Sequence, residues 1–301
     1  MEMNKNKKII VTHDSKFHTD DVFACATILL VLEKNNETFE LFRTRDESII
    51  KTGDYVFDIG GIYDESLNRF DHHQIGGAGK RENGIEYASF GLVWKKFGII
   101  LCESEDVVSK IDKKMAQPID AIDNGIDIYT SVIKDVQPYG IDSIVSAFLP
   151  TWNEKENNKD EIFLEVVFLA KKILQREIIK AKQKESDKNI LIDIYKKAED
   201  KRIMILDQHY SGKDVFSDFP EPLYVIDQRE DGDWMLTTVR KEKHSFVNRK
   251  DLPVAWAGLR NEELQKVTGV SDAVFCHRSL FLGVAKTKEG IMKLVELALN
   301  N

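Results

Sequence analysis

With 301 residues, 42% hydrophobic and 31% charged, the chain can bury a sizeable core and divide into two domains, and it is neither disordered nor fibrous. Its net charge of −8 argues against a partner held by bulk attraction to a polyanion, although base gathers locally in the last third. Cys25, Cys102 and Cys276 lie too far apart for a zinc knuckle or disulfide framework, the apolar run Val22 to Leu32 is too short to span a bilayer, and no signal-like segment is seen, so a soluble cytoplasmic protein is expected.

In chain order, "KKIIVT" reads as a strand and "DVFACATILLVLEK" as a buried helix, the opening of an α/β unit. "TFELFRT" and "YVFDIGG" supply further short strands, so a mainly parallel sheet flanked by helices is the economical topology. "QIGGAGKREN" is a flexible loop. "YASFGLVWKKFG", "VSKIDKKMAQPIDAIDNG" and "GIDSIVSAFLP" carry helical periodicity, with Gly125 ending the second of these after Asn124. The expected division is a catalytic α/β domain over 1–150, a helical connector over 151–202 and a smaller α+β domain over 203–301, in which "RIMILD", "LYVIDQ", "WMLTTVR", "AVFCH" and "LFLGVAK" are strands. No internal repeat or low-complexity segment interrupts this order.

Chemistry concentrates in two polar runs, "VTHDSKFHTDD" and "RFDHHQ", which hold four of the seven histidines. His13 follows the first strand, Asp58 ends "YVFD", His18 and Asp20 open the first helix, Asp71, His72 and His73 follow the strand "NRF", and Asp123 lies near a helix end. In open α/β sheets, ligands collect at such strand ends. So many carboxylates in one crevice would repel one another unless a cation compensated them. Imidazole mixed with carboxylate suits manganese, zinc, iron or magnesium, and the expected cofactors are two divalent ions.

These residues resemble the DHH phosphoesterase superfamily. More closely, "THDSKFHTDD", "DIGGIYDESLNRFDHHQ", "YASFGLVWKKFG", "DAIDNGI", "LPTWNE", "HSFVNR" and "WAGLRNEEL" are similar in order and spacing to the melanocyte-proliferating-gene (Myg) family of metal-dependent hydrolases. The resemblance implies a DHH-type N-terminal domain and 3′-to-5′ exonuclease activity on RNA. It also implies that His13, His18 and Asp58 hold one metal and Asp20, Asp58, His72 and Asp123 the other, with Asp58 bridging. Because His18 stands where the wider superfamily has an aspartate, manganese is favoured, with zinc or magnesium as alternatives. Asp71 would orient a ligating histidine, leaving His73 to face the substrate. Phosphate contacts are expected from Arg240, Lys243, His244, Arg260, His277 and Arg278. Three other readings remain open: a phosphoesterase of dinucleotides or pyrophosphate, a metal-dependent peptide hydrolase, and a metal-binding interaction module without activity.

Overall fold

A computed structural model describes residues 7–154, 158–243 and 245–301. At its centre β1 (Lys7–Thr12) pairs in parallel with β2 (Thr38–Arg43) on one side and β3 (Tyr55–Phe57) on the other. β5 (Arg69–Phe70) continues the parallel run beside β3, and β4 (Tyr63–Asp64) closes the edge antiparallel, giving the order β2-β1-β3-β5-β4. Parallel neighbours need a crossover, and α1 (Thr19–Lys34) supplies one between β1 and β2. Every residue of α1 from Thr19 to Leu32 is buried, as expected of a helix apolar on all sides. α3 (Ser89–Cys102) packs along it, with the Phe23 and Phe90 rings 5.4 Å apart. Because β1, β3 and β5 run the same way, His13, Asp58 and Asp71 all emerge at the carboxyl edge of the sheet.

The expected helix over "VSKIDKKMAQPIDAIDNG" is interrupted. α4 (Glu105–Ile111) passes into a π-turn, Asp112–Ala116, before α5 (Gln117–Asp123). Pro118 explains the wider turn: a helical proline lacks an N–H and crowds the carbonyl four residues back. Here the Gln117 N–H donates to the Asp112 carbonyl, five residues back, and the helix continues without a sharp break. A short helix, α2 (Glu47–Thr52), was not anticipated; Asp46 caps it by accepting from the Ser48 N–H at 2.8 Å. α6 (Ile141–Ala147) follows an irregular stretch.

The chain separates into two units, Met1–Lys182 and Gln183–Asn301. The division falls inside a single helix, α7 (Lys159–Lys197). Phe163, Val167, Ala170, Leu174 and Ile178, spaced by three and four residues, join the core of the first unit, whereas Leu191 packs in the second. The second unit has the sheet order β6-β7-β8-β10-β9, with β6 (Ile203–Ile205) parallel to β7 (Tyr224–Gln228). β8 (Trp234–Thr238), β9 (Ala273–Cys276) and β10 (Leu282–Ala285) are joined antiparallel. α8 (Asn261–Thr268) and α9 (Lys288–Asn300) complete the unit. Among the described residues, no helix is long and apolar enough to cross a membrane.

Candidate metal centre

Asp58 leaves β3 with φ +56°, a left-handed conformation that aspartate tolerates better than most residues. The turn aims its two oxygens at different histidines. Oδ2 lies 3.0 Å from His13 Nε2, and Oδ1 lies 3.3 Å from His72 Nε2. Ser89, the first residue of α3, donates its hydroxyl to Oδ1 at 3.3 Å.

The N-terminus of α1 brings two more carboxylates. Asp21 accepts the His18 N–H through Oδ1 at 3.0 Å, so the helix start fixes its side chain, and Oδ2 then sits 3.2 Å from His13 Nε2. Asp20 is buried, and neither of its oxygens has a hydrogen-bond partner among the described residues. Asp123, at the end of α5, reaches His72 Nε2 at 3.3 Å and His18 Nδ1 at 3.8 Å. α5 comes this close because Gly91 of α3 has no side chain: a Cβ there would lie 1.8 Å from Asp120 Oδ2. Instead, Asp120 accepts the Gly91 N–H at 3.0 Å and pairs with Arg81 at 2.8 Å.

Three sets could each hold a cation, their ligand atoms lying within 4.8 Å of one another: Asp58, His72 and His73; His13, Asp21 and Asp58; and His18, Asp20 and Asp123. The six residues expected as ligands thus fall in one cluster, but grouped differently. His13 groups with Asp21 rather than with His18, whose ring centroid is 6.4 Å away. Sequence reasoning passed over Asp21; its signal was a second consecutive aspartate three positions after His18, where a helix-capping role hides it. Asp71 orients His73, not one of the expected ligands: its Oδ1 meets His73 Nδ1 at 2.8 Å, while Oδ2 accepts the Gly61 N–H at 2.5 Å. The His73 side chain remains 63% exposed.

The electrostatics call for a cation. Burial, then the charges of Asp58, Asp123 and Asp21, push the Asp20 carboxyl well above its ordinary range. Burial also raises Asp21, to about 6. Burial alone would lower the His13 imidazole, but the carboxylates of Asp21 and Asp58 outweigh it and lift it to about 9. Asp58 runs the other way: despite its burial, His13 and His72 hold it well below the carboxylate range. Buried, unpartnered carboxylate oxygens beside imidazoles are the donor set a divalent ion satisfies, so these residues fit one.

In the second unit the expected phosphate-binding residues divide into kinds. Arg240 lies 5.7 Å from the Phe246 ring and 5.4 Å from Phe281; His277 lies 4.3 Å from Phe281 and 6.2 Å from Phe275; Arg260 lies 4.3 Å over Phe275. Arginine or histidine and phenylalanine side chains therefore alternate in one row, ending on Phe246, which is 89% exposed. Arg278 is exposed and has no ion pair among the described residues. Lys243, by contrast, pairs with Asp218 at 2.6 Å, and neighbouring Arg249 is spent on the carbonyls of Ser217, Phe219 and Pro222. His244 lies outside the described residues.

Comparison with known proteins settles the kinship. A family model described as Uncharacterised protein family (UPF0160), MYG1 exonuclease type, matches residues 9–299. The chain belongs to this family. Its relatives include the MYG1 protein C27H6.8 of Caenorhabditis elegans, 30% identical and covering 97% of this chain and 95% of its own length. The protein named MYG1 exonuclease in Homo sapiens is 28% identical, covering 96% and 85%. Among solved structures, RecJ of Thermus thermophilus with Mn2+ shares 9% identity at a TM-score of 0.29, covering 98% of this chain and 52% of RecJ, an overlap too loose to carry an argument.

Proposed function

We propose that this chain is a metal-dependent phosphodiester hydrolase, a 3′-to-5′ exonuclease acting on RNA, with two divalent ions, manganese favoured, in the cluster around Asp58. The observation that carries the reading is the division of the Asp58 carboxylate between His13 and His72, one oxygen to each, beside the buried Asp20 carboxylate, whose oxygens have no hydrogen-bond partner among the described residues. Relatives named exonucleases across nearly the whole chain support the reaction class.

Bound ions would acidify a water and polarise the phosphoryl oxygens. The residues prepare the rest. Asp58 would be the ligand shared by the two ions, with His13, held in place by Asp21, on one side, and His72, Asp123, Asp20 and His18 on the other. Asp71 occupies His73 Nδ1, so Nε2 of that exposed ring is left to hand a proton to the leaving oxygen. In the second unit, alternating Arg240, Phe281, His277, Phe275 and Arg260 offer faces for bases and charges for phosphates, which suits a strand better than pyrophosphate.

The test is a substrate panel with manganese: single-stranded RNA and DNA, a dinucleotide, pyrophosphate and a peptide library. Release of nucleoside 5′-monophosphates from the 3′ end of RNA is expected. Cleavage confined to pyrophosphate, a dinucleotide or peptides would contradict the proposal.

A further inference from the structure

Beside the cluster lies a cavity of about 290 Å³ into which His18, Asp20 and Asp123 project. It sits near the lower end of small-molecule sites, roughly 300–1,000 Å³. Whatever fills it is adjacent to the group being cut. Phe17, Ile119, Val145 and Leu149 make much of its wall apolar, and no lysine or arginine lines it. The remaining polar groups include Asp142 and Ser146, one turn apart on α6 and therefore neighbours on one helix face.

Both groups act as acceptors. Asp142 makes no hydrogen bond or ion pair among the described residues, so its carboxylate is available. Ser146 donates its proton to the Ser143 carbonyl at 3.1 Å, leaving its oxygen lone pairs to receive. The Asp142 carboxylate repels a further phosphate and no lysine or arginine of the lining offsets it, so a polyphosphate tail is disfavoured beside α6. The cavity suits a neutral, partly apolar group bearing two adjacent donors. A terminal ribose has that pattern in its 2′- and 3′-hydroxyls, whereas a terminal deoxyribose has one donor and an internal ribose lacks the free 3′-hydroxyl. A carboxylate accepting from ribose hydroxyls is an established mode of recognition elsewhere.

We infer that this cavity receives the 3′-terminal nucleoside, with Asp142 and Ser146 reading its free 2′,3′-diol, so that this one site selects both RNA and the chain end. The inference rests on the phosphodiester reading above.

The experiment compares manganese-loaded wild type, Asp142→Ala and Asp142→Asn on RNA strands identical except for a 2′-deoxy or 2′-O-methyl terminal nucleotide. Adenosine 5′-monophosphate and its 2′-deoxy form are titrated calorimetrically in parallel. Wild type should prefer the intact diol about 10- to 100-fold, the worth of one charge-assisted hydrogen bond, in both rate and affinity. Asp142→Ala should bring both ratios close to one, and Asp142→Asn, which keeps a carbonyl acceptor, should be intermediate. Equal wild-type handling of both ends, or ratios unmoved by Asp142→Ala, overturns the diol site while leaving the hydrolase reading intact. A protein that cuts neither strand but cleaves peptides, and binds the two monophosphates equally, overturns both. Circular dichroism of each variant separates loss of recognition from loss of fold.

Discussion

Replacing Asp58 with Asn probes the centre with the least change of shape. Asparagine tolerates the left-handed backbone at φ +56° and can still accept from Ser89, so the fold should survive. What disappears is a negative charge 3.0 Å from His13 Nε2 and 3.3 Å from His72 Nε2, the groups assigned to opposite metals. Altering a partner that only orients a metal ligand costs about 10–100-fold in metal affinity, so loss of a shared ligand should cost at least about 100-fold. If about 4 kcal/mol of charge stabilisation goes with it, turnover falls about a thousandfold. Elemental analysis after dialysis against manganese, alongside hydrolysis of a labelled RNA strand, measures both. An Asp58→Asn protein that retains both metals and near-normal turnover would refute the bridging role.

Five further outcomes are expected. His72→Ala should lower metal content, since His72 meets Asp58 and Asp123, whereas His73→Ala should keep the metals and slow the reaction; equal metal loss in both would make His73 a ligand too. Gly91→Ala should drive Asp120 from its place, destabilise the first unit by about 1–3 kcal/mol and weaken metal binding through Asp123; a thermal melt and a manganese titration both at wild-type values would contradict this. Because His13 is lifted from 6.5 to about 9, it must give up a proton near neutral pH when a cation binds, so calorimetry in different buffers should show proton release and affinity rising toward about pH 9. The same shift stabilises the metal-free fold fully below about pH 6.5 and is lost as pH climbs through about 9, so the metal-free melting temperature should fall across that window. Arg278→Ala should reduce the salt slope of RNA binding by about 0.7, one phosphate contact on a single strand, while an unchanged slope would remove Arg278 from the strand's path.

The cluster of histidines and carboxylates was legible because its residues sit where the sequence itself announces strand ends: His13 after "KKIIVT", Asp58 after "YVF" and His72 after "NRF". Which carboxylate serves which histidine was not legible. That pairing depends on the left-handed turn at Asp58 and on the capping geometry that turns Asp21 toward His13, and neither leaves a periodic trace. The π-turn before Pro118 was hidden because apolar spacing continues through it; only the proline's missing donor marks the place. In the basic third, composition could not separate Lys243 and Arg249, engaged by residues 25 to 32 positions away, from Arg240 and Arg260, which lie against aromatic rings. The cavity beside α6 escaped notice for a similar reason, since Phe17, Ile119 and Asp142 meet only through the packing of three distant segments.

The most direct test of the two-metal account is anomalous diffraction at the manganese edge from crystals grown with Mn2+. Two peaks about 3.5–4 Å apart are predicted, the spacing of two-metal hydrolases. Asp58 should lie between them, His13 beside one, and His72 and Asp123 beside the other. A single peak, or two peaks that do not share Asp58, would contradict it.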